Sequence, residues 1–313
     1  MNAKCRIIQR RIEAAQGRIP ADLVIKNCHI VNVYTQTVTK GDIAVIDGYI
    51  AAVGGSYEGH TIWDAHGAYA APGLIESHIH IESSYVSPEE FGRLLVPLGT
   101  TTAIADPHEI VNVCGLDGLS YMIKAAKQTA MDIRYMVPSC VPATGFDHSG
   151  AVLHGLELYA PLQNMATAGL GEFMNYPGVL AADADCIEKI AAAQDAHKII
   201  DGHSPGLHGQ GLQAYIGAGI TTDHECASVE DVIERIAAGM YVMLRNGSAC
   251  HDLPRLIQAV TPAALRRFLL CSDDLHPHTI AAKGHLNEHL RLCVQQGLSP
   301  AAAITMATLN PAE

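Results

Sequence analysis

The 313-residue chain has no run of lysine or arginine, and its formal net charge is −12. A nucleic-acid-binding surface must neutralise a phosphate backbone, so this balance argues against one and favours a partner that is small, cationic or not selected by charge. No segment reaches the roughly 18 uninterrupted apolar residues of a membrane span. The N-terminal stretch MNAKCRIIQRRIEAAQGRIP is charged and lacks the apolar centre of a signal peptide. The expectation is a cytoplasmic protein with no membrane partner. The nine cysteines are scattered from Cys5 to Cys293 without a CxxC pair, which suggests neither a zinc ribbon nor a disulfide framework and leaves reduced, mostly buried thiols. No GxGxxG or GxxxxGK[ST] opens a helix, so nothing marks a nucleotide-binding open sheet. Histidine is abundant instead, with 17 residues.

The length and the 49% hydrophobic share suffice for one large barrel or two average domains. Residues 4–17 have helical spacing, with Ile7, Ile8, Ile12 and Ala15 as one apolar stripe, stopped by Gly17 and Pro20. An N-terminal helix is therefore expected within residues 1–20. From Ala21 to Ala70 the runs are short and β-like, with turn residues such as Asp47-Gly48 between them. A partial β-sandwich-like domain is expected over 21–72. From residue 73 onward eight apolar runs alternate with helical stretches: GLIESHIH, TTAIADP, DIRYMVPS, AGLGEFMN, KIIDGHS, GITTDHE, MYVMLRNG and FLLCSDD. That pattern predicts an α/β fold over 73–313, a TIM-type (β/α)8 barrel with its active site at the C-terminal strand ends.

Five of these runs end in groups able to bind a divalent metal. His78 and His80 are two apart on the first run, so their side chains leave one face and can grip an ion together. Glu172 is a carboxylate in an otherwise apolar run, where burial without a partner would cost several kcal/mol. His203 and His224 each close a run, and neutral imidazole is a common metal donor. Asp273 ends the eighth run, where a carboxylate can touch a metal and move a proton; Asp274 is the fallback. Asp106-Pro107-His108-Glu109 supplies another ligand or a substrate contact. Glu225 is either a ring acid or a partner orienting His224, and Arg245, at the end of the seventh run, is an electrostatic or substrate contact. Asp201 and Asp223 are expected on the opposite face, His276 and His278 in solvent, and Ser139-Cys140 in a tight loop.

In order, PGLIESHIH, a glutamate on the fourth strand, single histidines on the fifth and sixth and an aspartate on the eighth resemble the amidohydrolase superfamily. HIHIESS, ADPHEIVNVCG, PSCVPATGFDHSGAVL, GEFMNYPGVL, DGHSPGL, TTDHECAS, GMYVMLRNGSA, CSDDLHPHT and MATLNPAE are similar to the segments that mark its adenine-deaminating branch. The resemblance implies hydrolysis of adenine to hypoxanthine and ammonia at a two-metal centre holding manganese or iron, with zinc an alternative. It implies that His78 and His80 hold one ion, that Glu172 bridges, that His203 and His224 hold the second, and that Asp273 is the acid/base. Glu225 or Glu109 would protonate the ring, and Glu82, Ser83, His108, Asn175 and Arg245 would contact substrate. The partner is then a free base, not a flipped nucleotide, since HxE followed by PCxxC is absent; a homo-oligomer is left open. The family architecture continues past the segment matching MATLNPAE with strands that return to the β-domain. Another amidohydrolase reaction, on a cyclic amide or an aminopurine, is the alternative within enzymes. A dihydroorotase-like one is disfavoured because Glu172 stands where a bridging lysine is usual. An inactive barrel acting as a binding module is the alternative from another class.

Overall fold

The computed structural model describes residues 2–313, and its contacts divide them into one unit ending at Pro72 and another beginning at Gly73. In the first, α1 (Ala3–Ala15) precedes β1 (Ala21–Asn32), β2 (Thr37–Ile46), β3 (Tyr49–Val53), β4 (Gly59–Asp64) and β5 (Tyr69–Ala70). The strands form one mixed sheet in the order β3-β2-β1-β4, and β5 pairs with β1 past the end of β4. The β2–β3 hairpin turns at Asp47-Gly48, both at positive φ (52° and 76°), the turn geometry that follows the twist of paired strands. α1 departs from the expected stripe. Ile8 and Ile12 are exposed, and Ile7, Arg11 and Ala14 make the inward face. Arg10 pairs with Asp22 and Asp47, and Arg11 lies over the Tyr49 ring; these contacts fix the rotation of the helix and turn the two isoleucines outward.

All eight apolar runs of the second unit carry a strand: β6 (Leu74–His80), β7 (Thr100–Ala105), β8 (Asp132–Val137), β9 (Thr167–Phe173), β10 (Ile199–Gly202), β11 (Thr222–Asp223), β12 (Tyr241–Arg245) and β13 (Phe268–Cys271), followed by the short β14 (Asp273–Asp274). Every ladder is parallel, in the orders β10-β9-β8-β7-β6-β14 and β11-β12-β13. The Thr221 N–H donates to Ile200 O at 3.1 Å between the two sets. The result is an α/β architecture, a curled parallel sheet with helices between its strands. Parallel strands covered by helices are buried on both faces, and β6 and β9 are accordingly buried at nearly every position. Apolar residues of the strands, such as Ile79, Ala103, Tyr135 and Leu170, pack against helix residues such as Leu119, Leu158 and Leu212.

Two local features position the site. The eighth run changes partner within itself: β13 pairs with β12, whereas Asp273 of β14 lies opposite Ile79 of β6, so the chain crosses between neighbours at Ser272. On β9, Gly171 leaves room for the Asp106 carboxylate, whose Oδ2 accepts the Glu172 N–H at 2.9 Å. A Cβ at residue 171 would fall 2.1 Å from that oxygen. No helix among the described residues is long and apolar enough to cross a membrane.

Gly171→Ala is therefore expected to destabilise the protein by about 1–3 kcal/mol, the usual range for overpacking, seen as a lower urea midpoint. An unchanged midpoint would mean that Asp106 can withdraw without cost and that this account of the glycine is wrong.

Candidate metal centre

The C-terminal ends of β6, β9, β10, β11 and β14 bring His78, His80, Glu172, His203, His224 and Asp273 into one cluster. His78 Nε2 and His80 Nε2 are 3.2 Å apart. Asp273 Oδ1 lies 3.2 Å from His80 Nε2 and 4.0 Å from His78 Nε2. Glu172 spans the cluster. Its Oε1 is 3.5 Å from His80 Nε2, and its Oε2 is 2.7 Å from His203 Nδ1 and 3.2 Å from His224 Nε2. The sets His78/His80/Glu172, His78/His224/Asp273 and Glu172/His203/His224 each offer ligand atoms within 4.8 Å of one another.

The donor set fits divalent metal. His78 Nδ1 is 2.9 Å from Asp201 Oδ2, and His80 Nδ1 is 2.9 Å from the Asp106 carbonyl. An imidazole that donates through Nδ1 presents the Nε2 lone pair forward. Two such lone pairs facing one another inside a ring of carboxylates call for a cation between them. The electrostatics agree. Burial alone would raise the Glu172 carboxyl, but contacts from His108, His203 and His224 outweigh it and hold the group well below the ordinary carboxylate range. Burial also opposes the charge on Asp273, and His80 with the neighbouring imidazoles prevails, keeping it ionised. Burial would lower His224, yet Glu172 pushes it up to about 10; His108, against Asp106 and Glu172, is pushed up to about 11. The carboxylates thus demand positive charge, which protons or metal ions can supply.

The remaining expected residues sit at different distances from this cluster. His108 Nδ1 reaches 3.2 Å from Glu172 Oε1. Glu225 Oε1 lies 3.7 Å from His224 Nε2 and 3.8 Å from His203 Nδ1, and it is gripped by Arg245. Arg245 also pairs with Asp273 Oδ2 at 2.7 Å and Asp252 at 3.2 Å, so its donors are spent on three carboxylates. Glu109 Oε2 is 3.6 Å from His80 Nδ1, the side of that ring turned away from Asp273. Glu82 packs toward Glu109, and burial with that like charge pushes its carboxyl up to about 7. Ser83 Oγ donates to Asp274, the exposed carboxylate beside Asp273. Asn175 is not gathered in. Its Oδ1 caps the helix Tyr176–Leu180 at Gly178 N, and with Ser139 and Cys140 it lines a cavity of about 470 Å³ that shares no residue with the cluster.

Asp201 is a correction: it lies on the His78 side, not the opposite face. It stands two residues before His203, and in a strand residues two apart share a face, so the alternation carried that signal. Arg235 had no such signal. Fully buried, it donates through Nε to Asp223 Oδ2 at 2.7 Å and through Nη2 to Ser204 O at 2.6 Å, tying together the residues adjoining His224 and His203. His276 stacks on Tyr85, away from the cluster.

The model of the amidohydrolase family matches residues 69–313. The chain belongs to the amidohydrolase family. This amidohydrolase is 58% identical to adenine deaminase 2 of Desulfotalea psychrophila over 98% of its own length and 53% of that protein's. It is 53% identical to an adenine deaminase of Ligilactobacillus salivarius over 96% of its length and 52% of that protein's. It thus spans about half the length of the curated relatives it matches. Among solved structures it resembles a dihydroorotase (TM-score 0.59, 16% identity, 93% of this chain and 82% of that one). It also resembles an atrazine chlorohydrolase variant from Arthrobacter aurescens complexed with zinc and atraton (TM-score 0.64, 15% identity, again 93% and 82%). At those identities the likeness concerns the fold.

Two outcomes are expected. Adding Mn²⁺ to metal-stripped protein raises the thermal midpoint, by the equivalent of about 2.7 kcal/mol at a hundredfold excess over Kd, and His224→Ala abolishes most of that shift; an identical shift in the variant would remove His224 from the ligand set. Arg235→Met leaves the buried Asp223 charge without its cationic partner, and should cost about 3–5 kcal/mol in urea unfolding.

Proposed function

We propose that this chain hydrolyses adenine to hypoxanthine and ammonia at a two-metal centre within a complete (β/α)8 barrel. The observation that carries the reading is Glu172, one carboxylate whose two oxygens face two separate histidine sets. The family match and the adenine deaminases similar over nearly the whole chain support it. The Thr221–Ile200 hydrogen bond and the β14–β6 ladder support barrel closure.

His78, His80 and Asp273 would hold one ion and His203 with His224 the other, with Glu172 between them. Manganese or iron is the natural choice for this nitrogen and oxygen set, and zinc is also compatible. When bound, divalent cations acidify water at neutral pH and polarise the bond under attack. The chain's own residues do the rest. Asp273, held ionised, takes a proton from the attacking water and returns it to the departing amine. Glu225, between the His203/His224 pair and Arg245, is better placed than Glu109 to protonate a ring nitrogen, because Glu109 stands behind His80. Arg245 fixes Glu225 and Asp273 relative to each other, while Glu82, Ser83 and His108 border the space left for substrate. The balance is adenine plus water to hypoxanthine plus ammonia, with no redox change.

Protein loaded with Mn²⁺ or Fe²⁺ should release ammonia from adenine. His78→Ala, which removes a proposed metal ligand, should abolish most of the rate, and Asp273→Asn should lower it by at least about a hundredfold, the minimum usual for losing an acid/base group. No ammonia from folded, metal-loaded protein would leave the inactive-barrel reading standing.

A further inference from the structure

Among the buried carboxylates outside the metal-ligating set and without part in the proton transfers, one stands two residues before His78. Glu76, on β6, is wholly enclosed. Its Oε1 accepts two backbone donors, the N–H of His78 at 3.1 Å and that of Ser272 at 3.0 Å. Its Oε2 accepts Ser272 Oγ at 2.7 Å and faces His285 Nε2 at 2.9 Å. His285 Nδ1 in turn meets Thr100 Oγ1 at 2.8 Å. A buried carboxylate is retained only where its oxygens are occupied, and here each oxygen has two partners, one of the four on the same strand and the others from the far end of the chain.

The two amides are not arbitrary ones. His78 is itself in the cluster, and Ser272 immediately precedes Asp273. Ser272 is also where the eighth run leaves β12 and joins β6, and Asp273 follows it at φ +59°, a left-handed conformation that a non-glycine residue keeps only when its surroundings impose it. No ladder pairing holds Ser272. Glu76 does so through both its N–H and its hydroxyl.

We propose that Glu76 is a positioning residue: by holding the amides of His78 and Ser272 on one oxygen, it sets the distance between the His78 imidazole and the Asp273 carboxylate, with His285 as its buried counterpart. The proposal rests on reading the cluster as a metal centre. Geometry at such a site is demanding, since misplacement by about 1 Å can cost a hundredfold in rate.

The test is the Mn²⁺ affinity of the folded protein, measured by chelator competition, in Glu76→Ala, Glu76→Gln and Leu158→Ala. Glu76→Ala is expected to weaken binding at least tenfold. Glu76→Gln, which keeps a carbonyl oxygen for the two amides, is expected to stay within about threefold of wild type. Leu158→Ala, which opens a cavity in the core away from the cluster, controls for loss of stability and should bind normally. If Glu76→Ala yields no folded protein, Glu76→Asp replaces it, because the shortened carboxylate keeps its charge but cannot reach both amides. Wild-type affinity in Glu76→Ala or Glu76→Asp overturns the proposal, as does equal weakening in Leu158→Ala or in Glu76→Gln. Wild-type protein that binds no Mn²⁺ would instead overturn the metal-centre reading itself.

Discussion

The site depends on the Glu172 carboxylate reaching across the sheet. One oxygen faces the strand that carries His80, and the other faces the strands that carry His203 and His224. A carboxylate so deeply buried is costly unless it is compensated, so the strands around it are constrained to deliver imidazoles to its two oxygens. Gly171 and Asp106 serve the same end from behind. The glycine admits the Asp106 side chain, and Asp106 secures the Glu172 amide and, through its carbonyl, the His80 ring. Removing charge from Glu172 would leave four imidazoles and Asp273 with no common centre.

Most members of the cluster have a buried polar partner at their back. Asp201 aims His78, the Asp106 carbonyl aims His80, and Arg235 braces the chain beside His203 and His224. His224 is different, since its buried Nδ1 has no hydrogen-bond partner and its ring is held by stacking on His78 at 4.1 Å between centroids. Its orientation therefore depends on the His78 ring, which Asp201 fixes, and on Glu172 Oε2, 3.2 Å from its Nε2. The order of dependence runs from Asp201 to His78 to His224, across three strands.

The sequence made the strands legible because their apolar runs were short, evenly recurring and ended in groups that an apolar interior does not tolerate uncompensated. His78 and His80 were legible from alternation, and Glu172 from its isolation among Gly171, Phe173 and Leu170. Asp201 obeys the same alternation when read from His203, two residues on, which places both on one face. Glu76 and Arg235 lie beyond this kind of reading, because Ser272 is 196 residues from Glu76 and Ser204 is 31 from Arg235, and no periodicity links either pair. α1 failed for the converse reason: its apolar stripe was clear in the sequence, but Arg10 and Arg11 decided which face turned inward.

The pairing of Arg245 with both Glu225 and Asp273 distributes the acid chemistry. A guanidinium shared by two carboxylates keeps them at a fixed separation, while Asp252 occupies its remaining donors. Asp273 has additional cationic neighbours in the cluster and stays charged. Glu225 instead neighbours His203 and His224, at 3.7–3.8 Å, on the other side of Glu172 from His78 and His80. Two acids anchored by one arginine can then perform different tasks, because their second neighbours differ and not because their side chains do.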